Sequence, residues 1–294
     1  MVDLLPRLKP SPLPPINPIP EYLADSALKR VYEETKSTLQ VPWMGVVTMA
    51  FAHYPIFFNT LWSGLSQLAA SHAFIESCRD LRVCAEEAAL QLEPRSIICD
   101  LAELGYAESE IEEIRVLNEV FSHGNMPYLM IATAARLLLE GHSLSEHRQI
   151  APFEGRHGPS TENRLTLMEA HHVDATTAAV YEDIKAALGL PFINTDYRAF
   201  ARWPSYFALA WRDLSEKMPS DTYETCVTNV HNFAVEQMRN LPNPGRLTSE
   251  ILIDAAEQDG AIDEIVEVVR LFQWLLPGLV VNVAFYRHQF RIEA

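Results

Sequence analysis

From Asp25 onward the chain places apolar side chains at helical spacing. Leu28, Val31, Tyr32 and Thr35 fall on one face of a segment that ends near Leu39, where Pro42 stops it. Asp25 stands at the N-cap position, where its carboxylate accepts the first free backbone N–H groups. A second segment of the same design starts at Asp174. It closes on Gly189, Leu190 and Pro191, the order of glycine, apolar residue and proline that ends a helix. A short helix and a sharp turn follow in each case, and Pro55 and Pro204 suit the first position of a further helix. Those helices carry Phe58, Trp62 and Leu65, or Phe207, Trp211 and Leu214, at i, i+4 and i+7, the spacing of a core stripe. Apolar helices are predicted from Pro127 to Leu139 and from Pro277 to Phe290. Alternating β-branched runs bounded by turns are missing, so the pattern predicts an all-α protein.

The two series are copies. A shift of 149 positions lays residues 31–66 on 180–215 without a gap, with 14 identities in 36 positions, among them Pro42/Pro191, Phe51/Phe200, Pro55/Pro204 and Trp62/Trp211. Unrelated segments of that length would share roughly two, so the chain contains an internal repeat. The expected organisation is a proline-rich arm (residues 1–24), helical repeat 1 (25–140), a linker (141–173) and helical repeat 2 (174–294), the two repeats packing face to face as a pseudo-dimer. Seven of the first twenty residues are proline, which favours an extended arm that either wraps the body or stays disordered. The linker is rich in Gly, His, Pro, Ser and Thr, as a surface crossover would be.

The apolar fraction of 48% is ample for a core. A net charge of −16 opposes nucleic acid and anionic membrane as partners, because each phosphate would meet a repelling field. A small anion needs local donors to overcome it. Cys78, Cys84, Cys99 and Cys226 have neither disulfide-framework density nor C-x-x-C spacing and read as buried thiols in a reducing, cytoplasmic compartment. The first ten residues lack the pattern of a signal peptide, and the longest apolar stretch is broken by Pro277 and Asn282.

Where the copies disagree, chemistry can have been added. Asp196 faces Val47 in the other copy, so one half holds a carboxylate where the other holds a methyl-bearing side chain. Asp196 reads either as a first-turn acid favoured by the helix dipole or as a base at the interface of the halves. A cap that the fold required would recur in both copies, which favours the second reading. Asn125 and Tyr128 are likewise opposed by the apolar run Trp274 to Pro277. Asn125 is then a helix cap or an amide that holds a water against a carboxylate, and Tyr128 a core residue whose hydroxyl finds a partner. Trp43, opposite Phe192, is core or an indole N–H aimed at an anion. His171 and His172 lack a third ligand, so no metal site is expected, and Gly-x-Ser-x-Gly, phosphate-loop and zinc motifs are missing.

The paired helical repeats, the segment Asn194-Thr195-Asp196-Tyr197-Arg198 followed by Arg202-Trp203-Pro204, and Asn125 with Tyr128 after His123-Gly124 resemble the group I (DehI-like) DL-2-haloacid dehalogenase family across nearly the whole chain after the arm. The resemblance implies an all-α pseudo-dimer that hydrolyses 2-haloalkanoic acids of either D or L configuration, with no metal or organic cofactor. It implies that Asp196 activates a water for direct displacement of halide with inversion, that Asn125 helps hold that water, and that Trp43, Val46, Tyr128 and Thr195 line the substrate pocket. Val46 stands where the family usually has Phe, and Thr195 where Ser is common; both bear on pocket size and stereochemical tolerance. Two other classes compete: an AhpD-like helical thiol peroxidase, which needs a redox pair from Cys78 and Cys84, and a non-enzymatic helical protein whose groove binds an acidic metabolite. A homodimer is compatible with all three readings.

Overall fold

The computed structural model describes residues 5–160 and 165–291. Twelve helices form among them: α1 (Ser26–Leu39), α2 (Val46–Phe51), α3 (Pro55–Ala69), α4 (His72–Leu90), α5 (Ile98–Glu103), α6 (Glu108–Leu139), α7 (Ala175–Leu188), α8 (Thr195–Phe200), α9 (Pro204–Lys217), α10 (Asp221–Asn240), α11 (Ser249–Gln258) and α12 (Ile262–His288). The described residues contain no strand, only an isolated bridge between Ser71 and Pro152. The protein is all-α.

The same 149-residue offset governs how helices begin and end. Asp25 accepts from Ala27 N and Leu28 N at 2.9 and 2.8 Å, and Asp174 accepts from Thr177 N at 2.7 Å. Ser71 caps α4 and Ser220 caps α10. Pro55 and Pro204 open α3 and α9, where the missing N–H costs nothing. The chain leaves α1 through Gln40 at φ 50° and α7 through Gly189 at φ 60°, so one copy meets a left-handed turn with glycine and the other without it. The repeated contacts start upstream of the helices. Tyr32 donates to Ile19 O and Tyr181 to Met168 O, while Ile19 N donates to Met49 O and Met168 N to Arg198 O.

The described part of the arm crosses to the second half. Leu5 O accepts from His231 on α10, Arg7 donates to Trp274 O on α12, and the Lys9 ammonium caps Leu188 O and Gly189 O at the end of α7. Residues 155–158, which precede the second half, lie over the end of α1 instead. There the Gln40 side chain accepts from His157 N and Gly158 N and donates to Gly155 O. Each extended strap therefore covers the opposite half. Residues 161–164 of the linker lie outside the described residues.

The long helices α6 and α12 pack on each other more extensively than any other pair and form the centre. Both differ from the sequence expectation, which started them at Pro127 and Pro277: each proline sits inside a continuous helix. A buried proline forfeits one backbone bond and bends the helix, and packing on all sides compensates for that loss. From Val120 to Leu139, α6 is buried apart from His123, and α12 is buried to a similar degree. Helix α12 is long and apolar enough to cross a bilayer by composition, but it is apolar all round because it is the core.

One polar line runs through this core. Arg136, 2% exposed, donates to Gln273 Oε1 at 2.6 Å and pairs with Glu140, and the Gln273 amide meets His231 Nδ1 at 2.9 Å. His231 then reaches Leu5 O, so the line ties both central helices to the arm. Burial pulls the His231 pKa down to about 4, keeping the ring neutral. Gln273→Leu would strand a buried guanidinium nitrogen and a ring nitrogen. The expected outcome is a loss of about 2–4 kcal/mol in urea unfolding, with faster proteolysis of the arm.

Candidate functional site

Three elements supply the site: the turn into α2, the turn into α8, and the middle of α6. Asp196 is the second residue of α8 and is 2% exposed. Its Oδ1 accepts from Asn125 Nδ2 at 2.6 Å, and among the described residues no other side chain donates to it. Asn125 lies within α6, buried, and is not a helix cap. Three residues on, along the same face, Tyr128 is 1% exposed and donates its hydroxyl to Trp43 O at 2.6 Å.

The Trp43 ring packs against Phe121 at 5.0 Å and Tyr128 at 6.0 Å, and Phe121 meets Phe200 of α8 at 5.5 Å. Two glycines permit this approach. A Cβ on Gly124 would come within 2.4 Å of the Trp43 ring, and one on Gly45 would lie 3.0 Å from the Tyr128 ring. The Trp43 indole N–H has no hydrogen-bond partner among the described residues. Thr195 is buried next to Asp196, with its hydroxyl 3.5 Å from Arg198 Nη2. Val46 is half-buried at the start of α2 and makes no ring contact or side-chain bond with the other five residues. The structure thus joins Asp196 to Asn125 and Tyr128 to Trp43, with α6 linking the two pairs.

Asn194, the N-cap of α8, is a further candidate. It is buried, and its Oδ1 has no partner among the described residues. Its counterpart in the other copy is Gly45, so the comparison that singled out Asp196 against Val47 marks this position as well. A buried amide oxygen without a donor is costly unless a ligand or water supplies one.

Burial pushes the Asp196 carboxyl up to about 6, against the opposing pull of the Asn125 amide, its own backbone N–H and the Arg198 charge. Arg198 is itself committed to Glu169 at 2.7 Å. A carboxylate with this pKa is ionised at neutral pH and is a stronger base than an ordinary aspartate. Among the described residues, no group of three or more His, Cys, Asp or Glu side chains converges as metal ligands.

No family model matches the chain. Among individual proteins, it is 44% identical over 255 residues to an (R)-2-haloacid dehalogenase of Rhizobium sp. (strain NHG3), covering 86% of this chain and 98% of that one. It is 35% identical to an (R)-2-haloacid dehalogenase of Pseudomonas putida, covering 93% and 92%. A solved D-2-haloacid dehalogenase in complex with L-LA aligns over 98% of this chain and all of its own, with a TM-score of 0.87 and 34% identity. These are helical enzymes that act on carbon–halogen bonds. Within that class, the chain belongs to the group I (DehI-like) 2-haloacid dehalogenase family.

The raised pKa has a consequence for folding. The folded state holds the Asp196 proton more tightly than the unfolded chain does, so stability is greatest below the unfolded pKa of 3.8 and declines as pH rises through about 6. A shift of about two pH units amounts to about 3 kcal/mol. Asp196→Asn keeps an acceptor for Asn125 and removes the charge. Urea unfolding is expected to show the variant more stable at about pH 8 by about 2–3 kcal/mol, with the gap closing near pH 4.

Proposed function

We propose that the protein hydrolyses 2-haloalkanoic acids to 2-hydroxyalkanoic acids, with Asp196 as the base that activates the attacking water. The observation that carries this reading is the buried Asp196–Asn125 pair in a chain whose relatives are 2-haloacid dehalogenases. Water oxygen attacks C2 in line with the carbon–halogen bond, the bonding pair leaves with the halide, and the proton passes to Asp196. Asn125 fixes the carboxylate and helps hold the water. Most of the rate advantage comes from this positioning in a dry setting, and the base adds about 10²–10⁴-fold.

Direct attack inverts C2, in keeping with a D-2-haloacid dehalogenase in complex with an L ligand. In this reading the Trp43 N–H and the Thr195 hydroxyl donate to the substrate's carboxylate and departing halide, Asn194 Oδ1 accepts from the attacking water, and Tyr128 and Val46 bound the apolar part. Two relatives act, by name, on (R)-2-haloacids, which narrows the expectation of activity on both enantiomers to a preference for (R). The thiol peroxidase reading gains no support. Cys78 and Cys84 lie six residues apart on α4, on different faces, and burial pushes both thiols up. Four free cysteines suit a cytoplasmic enzyme.

Halide release from (R)- and (S)-2-chloropropionate tests the activity. Faster release from (R) is expected, with Asp196→Asn folded and slower by at least about 10²-fold. Because the base must be unprotonated, kcat/KM should fall as pH drops through about 6. Release of halide by Asp196→Asn at the wild-type rate would end this reading.

The alternative chemistry, attack by the Asp196 carboxylate itself, passes through an ester. A single turnover in ¹⁸O-water is expected to place the label in the hydroxyacid alone. Label recovered in Asp196 would instead establish the ester route.

A further inference from the structure

Behind α6, away from Asp196, a partly enclosed cleft of about 90 Å³ lies between the ends of α1 and α3, the first turns of α4 and the strap at His157. None of the proposed site residues lines it. Its polar wall is made of Arg79, Arg82, His123 and His157, and no carboxylate contributes. The imidazoles stand 5.3 Å apart, and their Nε2 atoms reach Leu39 O and Thr38 O at 3.2 and 3.3 Å. Burial pulls both rings below the usual histidine range, and the arginines add to that pull.

The two arginines differ. Arg82 is neutralised by Glu119 at 2.5 Å. Arg79 has no acid within ion-pair distance among the described residues, and its guanidinium lies over the Phe153 ring at 6.0 Å. Arg79 is exposed at the mouth of the cleft, and its charge is unanswered in a chain of net charge −16.

The repeat supplies an internal control. The corresponding cleft of the second half is lined by Arg7, Leu188, Met218, Tyr223 and Glu224, where the first half has Leu39, Ala69, Phe74 and Ile75. There the cation is answered from within, because Arg7 pairs with Glu224 at 2.7 Å. The residue 149 positions before Glu224 is Ile75, one helical turn from Arg79. The two cations come from different positions, since Arg79 faces Thr228 at this offset, but only the second half places an acid, Glu224, beside its cation, and the first half has Ile75 there.

We propose that this cleft is a second binding site, for a small monovalent anion, held by Arg79, with the uncharged rings of His123 and His157 as its walls. A water needs about 10–15 Å³ of such volume, so the space suits a halide with its waters or a short carboxylate and rejects nucleotides and peptides. Both chemistries are anions that a guanidinium binds by charge-assisted hydrogen bonds.

The full-length protein is titrated with sodium bromide and, separately, with sodium propionate, following the imidazole resonances of His123 and His157. Saturation at millimolar concentration by either salt supports the site, and which salt acts identifies halide or carboxylate as the occupant. Arg79→Gln should weaken binding by about 10-fold or more. Ile75→Glu, which copies the other half's built-in acid, should abolish it. Bromide-soaked crystals should show anomalous density beside Arg79 in the unaltered protein and none in Arg79→Gln. Failure of both salts to saturate, or binding unchanged in Arg79→Gln, overturns the proposal. The readout does not involve turnover, so loss of the proposed dehalogenation would leave it standing.

Discussion

A carboxylate held out of water is the constraint on which the arrangement depends. Asp196 loses hydration on burial and receives a single side-chain donor in return, the Asn125 amide. That exchange is incomplete, which is why the carboxyl is raised to about 6 rather than lowered. A second donor would make it a weaker base, and none would leave it protonated near neutrality. Holding that balance requires α8 to be fixed against α6, and the aromatic contacts from Trp43 through Phe121 to Phe200 supply the rigid spacing.

The helical frame is common to both halves, and the residues of the proposed site fall where they differ. Caps, turns and the anchoring tyrosines recur at a fixed offset, whereas Val47 and Asp196, Gly45 and Asn194, and Ile75 and Glu224 do not match. A repeated scaffold lets one copy carry the packing while the other accepts polar groups that would be costly if imposed on both. The polar line Arg136–Gln273–His231 is another such departure, and it ties the arm to the centre.

Much of this was legible in the residues. The bounds of α1 and α7 followed from caps, prolines and apolar spacing, the short helices α2 and α8 were expected without bounds, and Asp196 stood out because its counterpart is apolar. Long-range order was not legible. Prolines 127 and 277 read as helix starts because local rules end a helix before proline; packing on every side overrides that rule, and no local window contains it. Asn194 was passed over because glycine against asparagine looks like ordinary turn variation until burial shows an amide oxygen with no donor. The linker read as a featureless crossover because its strap is held by backbone groups and one glutamine, which leave little trace in composition.

The exchange of straps bears on how the two lobes can evolve. Residues 5–9 seal the second lobe and residues 155–158 the first, so part of each lobe's cover comes from the segment that leads into the other. A gene for one lobe alone would encode a body with an open seam, and loss or replacement of either lobe would unseal the survivor. The straps thereby tie the two lobes to each other, which leaves each free to diverge in side chains but not to depart.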